Sequence, residues 1–212
     1  CQKKAKQKRK PHQADVIGSH GQTIFHNPGK KVSLQIGSAQ AIAKATGITT
    51  ASNFRMADIY EGGEGAPMLP FYHRRMIGRG RPGFAVHNLG GISNFTYFGP
   101  KNKLIALDTG PANCLMDLCV QRISRGKMEF DAKGKWANAG IISSKLLASL
   151  HRQKAVADYI ALPAPKSTGR ELFTDAMANA FMDRAERARL SREDRLATLS
   201  QFSVDLAILA YE

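Results

Sequence analysis

The stretch Leu104-Ile105-Ala106-Leu107-Asp108-Thr109-Gly110-Pro111-Ala112-Asn113 limits the fold more than any other part of the chain. Four apolar residues run straight into an acid. A Gly-Pro turn follows, and Cys114-Leu115-Met116-Asp117-Leu118 then reads as the start of a helix. This pattern describes a buried strand that ends by presenting a carboxylate on a tight turn. A buried acid is costly unless it is hydrogen-bonded or used. Strand ends with a glycine turn and a following helix are also where α/β proteins place their chemistry. Asp108 is therefore either a functional acid or a cap, and local sequence leaves both open.

Upstream, Asp15 to Thr23 is a short strand entering a polar turn, with Ser19, His20 and Gln22 around Gly21. The loop either gathers polar groups around a ligand or is a plain turn. Ser19 and His20 are adjacent, which is poor geometry for a nucleophile and its base. Residues 24–36 fit a hairpin around Asn27-Pro28-Gly29. Ser38 to Thr46 reads as a helix closed by Gly47, and Ile48 to Ala51 as a strand. Strand, helix, strand is the order of a crossover unit in an α/β sheet. Residues 53–67, with Arg55, Gly62, Gly63 and Gly65, read as a mobile or ligand-approaching loop. No Gly-Lys-Ser/Thr follows, so it is not a Walker loop.

A short helix is expected from Met68 to Met76. Residues 83–108 read as three consecutive strands, the first turn being Asn88-Leu89-Gly90-Gly91. That glycine pair is either an ordinary hairpin turn or a place where backbone amides approach a phosphate. Asp131-x-x-Gly134 lacks the acid ladder of a calcium loop. Pro163 to Glu171 is a cationic loop. It either binds an anion or starts the next helix with Ser167 or Thr168 as N-cap. Helices are expected over 113–124, 141–151 and 171–189. Ser191 caps a last one with an apolar stripe at Leu196, Leu199, Phe202, Leu206 and Leu209.

The net charge is +14, and Lys3, Lys4, Lys6, Lys8, Arg9 and Lys10 supply six of those charges within ten residues, the remainder of the chain still being basic. Such a run is either a nucleic-acid arm or the exposed last turn of a helix. No aromatic residues are interleaved with it, which disfavours a stacking platform. Cys1, Cys114 and Cys119 form no disulfide framework, and no Cys or His spacing resembles a zinc site. No apolar run is long enough to span a bilayer, and no signal-peptide pattern is present. The expectation is a cytoplasmic protein with no metal site of its own. Because the chain begins with Cys1, it is read as a fragment.

Asp-Thr-Gly after two apolar residues is also the triplet of aspartic proteases, whose chemistry needs two such acids. Here a proline and a helix follow it, which argues against that class. The ordered motifs are more informative. Ile-Gly-Ser-His-Gly-Gln-Thr (17–23), Leu-Gln-Ile-Gly (34–37), Phe-Arg-x-x-Asp (54–58) and Gly-Gly-Glu-Gly-Ala-Pro (62–67) come first. Asn-Leu-Gly-Gly-Ile-Ser-Asn (88–94), Asp-Thr-Gly-Pro-Ala-Asn-x-Leu-Met-Asp (108–117), Phe-Asp-x-x-Gly-x-Trp-Ala (130–137) and Pro-Lys-Ser-Thr-Gly-Arg-Glu (165–171) follow. In this order the chain resembles the anhydro-N-acetylmuramic acid kinase family, from residue 15 to about 210.

The resemblance implies an incomplete α/β chain of the actin-like (ribonuclease H-like) two-domain sugar kinase fold. Residues 1–54 would be the C-terminal part of the first domain and 55–212 most of the second, with ATP bound between the domains. It implies ATP-dependent hydrolytic ring opening and 6-O-phosphorylation of 1,6-anhydro-N-acetylmuramic acid, in cell-wall recycling. Asp108 would be the catalytic base. Ser19, His20, Gln22, Arg55 and Gly65 would contact the sugar. Gly90 and Gly91 would face the nucleotide phosphates, bridged by Mg2+. The partners are then the amino sugar and ATP. A membrane is not expected, nucleic acid is disfavoured, and a homodimer is left open. The family's N-terminal Gly-Thr-Ser-x-Asp-Gly loop and C-terminal Gly-Gly-Gly segment are absent, so little activity is expected from the 212 residues alone. Ala112 stands where the family carries Gly, and Met56-Ala57 where it often carries arginines. A non-catalytic binding fragment and a basic nucleic-acid binder are the alternatives.

Overall fold

The computed structural model describes residues 14–77, 81, 83–164, 166–169 and 171–212. The basic run 3–10, Cys1, Pro165 and Arg170 lie outside them. The chain forms two compact units, divided between Met68 and Leu69.

In the first unit, β1 (Ile17–Gly18), β2 (Gln22–Asn27) and β3 (Val32–Ile36) precede α1 (Ala39–Thr46), β4 (Thr50–Ala51) and α2 (Phe54–Tyr60). β4 pairs in parallel with β1, whereas β3, the strand directly before α1, pairs only with β2 among the described residues, so the expected crossover from β3 through α1 to β4 is not formed. Ser38 Oγ accepts the Ala41 N–H at 3.1 Å and starts α1. Gly47 ends it in the left-handed region, at φ 69°. β2 and β3 form the expected antiparallel hairpin. α2 occupies part of the stretch expected to be loop. It packs on β3, where the Ser33 N–H meets Met56 Sδ at 3.2 Å. That packing places Phe54 to Tyr60 in the same compact unit as the strands before them.

The second unit opens with a single turn, α3 (Pro70–Tyr72), which continues as a π-helical turn, His73–Ile77, instead of one regular helix. β5 (Phe84–Leu89), β6 (Ile92–Phe98) and β7 (Leu104–Pro111) form an antiparallel sheet in that order. Helices α4 (Cys114–Ile123), α5 (Lys135–Ala139), α6 (Ser144–His151), α7 (Lys154–Ala161), α8 (Asp175–Arg187) and α9 (Arg192–Leu209) follow. Ser191 Oγ caps α9 by accepting the Asp194 N–H. Asp131 accepts the N–H groups of Trp136 and Ala137, so its Asp-x-x-Gly turn serves as a brace for α5. α8 begins four residues later than expected, with Thr174 as its N-cap in place of Ser167 or Thr168.

The core lies where α4, α6, α8 and α9 meet. Phe173, Phe181 and Phe202 are almost wholly buried there. Burying each such ring contributes roughly 1.5–3 kcal/mol. Along α9, Leu196, Leu199, Phe202 and Leu206 are buried as the stripe predicts, whereas Leu209 is 46% exposed. This packed helical layer anchors β7, because α9 lies against it. Among the described residues no helix is long and apolar enough to cross a membrane.

Candidate functional site

β7 sits at the edge of its sheet, and Asp108 lies within it rather than at its end, because pairing of Gly110 with Ser93 and of Pro111 with Ile92 carries the strand through the expected turn. The free edge of β7 is met by the segment around Lys166. The Asp108 N–H donates to the Lys166 carbonyl at 3.0 Å. The Tyr159 hydroxyl donates to the Asp108 carbonyl at 2.6 Å. The carboxylate itself accepts the Thr168 N–H through Oδ2, at 2.9 Å. Residues from 159 to 168 thus hold both the backbone and one carboxylate oxygen of this half-buried acid. Burial, then the charges of Asp108 and Glu171, raise the pKa of Tyr159, so its hydroxyl keeps its proton and remains a donor.

Of the two roles expected of the cationic loop, the helix cap falls to Thr174, and the loop's Lys166 braces the end of α7. Lys166 Nζ donates to the carbonyls of Tyr159 and Ile160, at 3.2 and 2.9 Å, near the C-terminal end of α7. Its ammonium also lies 5.0 Å from the Tyr159 ring centre. Partial burial lowers its pKa. Beside this brace lies a cavity of about 240 Å³, lined by Leu107, Thr109, Tyr159, Leu162, Leu206 and Leu209 among others.

The turn carrying Gly90 and Gly91 is tied to the loop that follows Asp108. The Gly91 carbonyl accepts the N–H groups of Ala112 and Cys114, at 3.0 and 3.1 Å, and the Gly90 carbonyl accepts that of Asn113, at 2.9 Å. Neither glycine has a positive φ, and an added Cβ would meet only ordinary contacts, at 3.5 Å or more for Gly90 and 4.0 Å for Gly91. The fold therefore does not itself demand glycine at either position. Gly110 is the contrast. Its φ is +144°, and a Cβ there would stand 2.7 Å from Leu206.

Sequence reasoning missed a hydrogen-bonded chain behind the acid. The Thr109 hydroxyl donates to Ser93 Oγ, Ser93 Oγ bonds His87 Nε2, and His87 Nδ1 bonds the Tyr211 hydroxyl, each at 2.6 Å. Ser93 and Thr109 are buried, and burial lowers the pKa of His87. These residues are far apart in sequence, and only strand register and the end of α9 bring them together.

Within the first unit, the structure joins three of the five residues assigned to a sugar. Arg55 donates through Nε to His20 Nε2, at 2.8 Å, and through a terminal nitrogen to the Gly65 carbonyl, at 2.9 Å. With Nε2 accepting, His20 carries its proton on Nδ1, which meets the Gly21 carbonyl at 2.9 Å. Asp58, not anticipated in this role, accepts the Gly65 N–H at 2.7 Å. Gly65 is required: its φ is +66°, and a Cβ would lie 2.9 Å from Ile59 Cδ1. Ser19 is fixed through its N–H, which donates to the Ala51 carbonyl at 2.8 Å. Gln22 is exposed and bonds its neighbour's carbonyl, outside that cluster.

Cys114 and Cys119 are buried thiols, and burial pushes Cys119 up to about 12. Among the described residues, no group of three His, Cys, Asp or Glu could hold a metal ion.

An acid on an edge strand, backed by helices and followed by a segment tied to a glycine turn, belongs here to the α/β fold class of the actin-like sugar kinases. A family model described as Anhydro-N-acetylmuramic acid kinase matches residues 2–209, and the chain belongs to that family. Three relatives carry the same description. One from Hydrogenovibrio crunogenus is 45% identical over 194 residues, covering 91% of this chain and 50% of its own length. One from Synechocystis sp. is 41% identical over 212 residues, covering 94% and 54%. One from Pasteurella multocida is 39% identical over 200 residues, covering 93% and 51%. The chain spans about half the length of the curated relatives it matches.

Proposed function

We propose that the protein carrying this chain is an ATP-dependent kinase that opens 1,6-anhydro-N-acetylmuramic acid with water and phosphorylates it at O6. The products are N-acetylmuramic acid 6-phosphate and ADP, in cell-wall sugar recycling. The carrying observation is the bracing of Asp108. Its backbone is fixed on two sides and one carboxylate oxygen is fixed by Thr168. A base held this way can take a proton from water as the water attacks the anomeric carbon, much as in an inverting glycosidase. The C1–O6 bond breaks, and O6 is released to attack the γ-phosphoryl group.

The remaining roles follow from chemistry. Arg55, oriented by His20 and Gly65, supplies donors to the sugar, with Ser19 and Gln22 as further contacts. Gly90 and Gly91 suit nucleotide phosphates, because their turn carries no side chain and the fold does not require glycine there. Magnesium would be carried by those phosphates and would neutralise their charge. A cytoplasmic enzyme fits this substrate, and a homodimer is compatible with it.

The test is an assay of the full-length protein with ATP and the anhydro sugar, following both sugar phosphate and ADP. Asp108→Asn should lower kcat by roughly 10²–10⁴-fold, the range of a positioned base. Near-normal turnover by this variant would remove Asp108 from the mechanism.

A further inference from the structure

Strand register places two carboxamides in line with the acid. Asn94 on β6 pairs directly with Asp108 on β7, and Asn88 on β5 pairs with Asn94. Directly paired residues in an antiparallel sheet share a face, with Cβ atoms about 4.5–5.5 Å apart. The three polar side chains therefore form one row across the sheet. At its far end Asn88 Nδ2 lies 3.5 Å from where a Gly90 Cβ would stand. The row thus leads from the acid to the glycine turn.

Asn94 is half-buried in this row. Its side chain forms no hydrogen bond with any described residue, although the neighbouring Ser93 is fully engaged. The Asn94 amide donor and carbonyl acceptor are thus open to a water or a ligand. Here the space beside it is the space beside Asp108.

We infer that Asn94 contacts the reacting water and orients it for Asp108. This rests on the ring-opening reaction proposed above. Water attacking a carbon must aim a lone pair at it, so both of its hydrogens need acceptors on the other side. Asp108 accepts one hydrogen and takes it as a proton. Asn94 Oδ1 accepts the other and keeps the oxygen on line. The O–C1 bond forms, the C1–O6 bond breaks, its electron pair stays on O6, and the second hydrogen remains on the new anomeric hydroxyl. Asn94 gains and loses no proton. Its role is orientation, and misorientation by about an ångström can slow such a step by on the order of 10²-fold.

The experiment compares Asn94→Leu, Asn94→Ala and Asn94→Asp in the full-length protein, with kcat, the KM for ATP and the melting temperature measured for each. Leu and Ala remove the acceptor, and both should lower kcat by roughly 10–100-fold with the ATP KM within about twofold of wild type. Asp keeps two acceptor oxygens and should recover at least about tenfold of that loss. A purely structural role would move kcat and melting temperature together across all three variants, and that result overturns the inference. So does a kcat within twofold of wild type in the Leu and Ala variants. A wild-type protein that does not turn over the anhydro sugar sinks the ring-opening reaction and this inference together. An active wild type with unaffected Leu and Ala variants sinks this inference alone.

Discussion

Replacing Gly91 by Ala separates the fold's needs from a ligand's. A Cβ at Gly91 would find its nearest neighbour, Cys114 Cβ, at 4.0 Å, and the backbone there is outside the left-handed region. Glycine-to-alanine changes at such positions stabilise by about 0.4–1 kcal/mol, by restricting the unfolded chain. The same methyl group would keep a phosphate oxygen away from the turn's N–H groups. Each hydrogen bond to a charged group contributes about 1.5–3 kcal/mol, so losing one or two weakens binding by more than tenfold. Gly91→Ala should therefore leave the melting temperature equal or higher and reduce ATP affinity by roughly 10–100-fold. Differential scanning fluorimetry and calorimetric titration of the full-length protein with ATP read the two effects. Gly65→Ala is the control: its φ of +66° and the 2.9 Å approach to Ile59 make it destabilising. If Gly91→Ala binds ATP as wild type does, no nucleotide phosphate lies against that turn.

Two further outcomes probe the support around the acid. Tyr159→Phe removes one partly buried hydrogen bond to the Asp108 carbonyl, so it should lower stability by about 0.5–1.5 kcal/mol and lower kcat without moving the ATP KM; unchanged stability and kcat would show that the Lys166 and Thr168 bonds suffice. His87 has a folded-state pKa below its ordinary value, because burial disfavours its charged form. The unfolded chain therefore takes up the proton first, so stability is intact above about pH 6.5 and is lost as pH falls below that. Melting temperature should drop more steeply between about pH 7 and 5 in wild type than in His87→Gln, and parallel curves would contradict this.

Much of the local structure is legible in the residues. Ser38 and Ser191 cap their helices, Gly47 ends one, and β5 to β7 follow one another as alternating strands joined by short turns. These features depend on backbone preferences and on hydrogen bonds between residues three or four apart, so a short window contains their cause. The start of α8 is different. Ser167 and Thr168 look like caps, but their segment lies along the edge of β7, where the Lys166 carbonyl and the Thr168 N–H hold Asp108. A long-range demand on the backbone displaces the cap to Thr174.

The sequence by itself determined that an acid would stand on a strand ahead of a helix, although the strand runs on through Gly110 and Pro111, where a turn was expected. It also determined, through the ordered motifs, the family to which that acid belongs. What surrounds the acid was decided only by tertiary structure. Tyr159 and Thr168 lie more than fifty residues beyond Asp108, and nothing near them in sequence signals the contact. Asn94 comes opposite Asp108 because the sheet register, shifted by an irregularity between Ser93 and Asn94, sets that pairing. A register shift of one residue would turn the carboxamide to the other face. Residue types and turns are properties of short segments, whereas register and packing are settled by the whole unit at once.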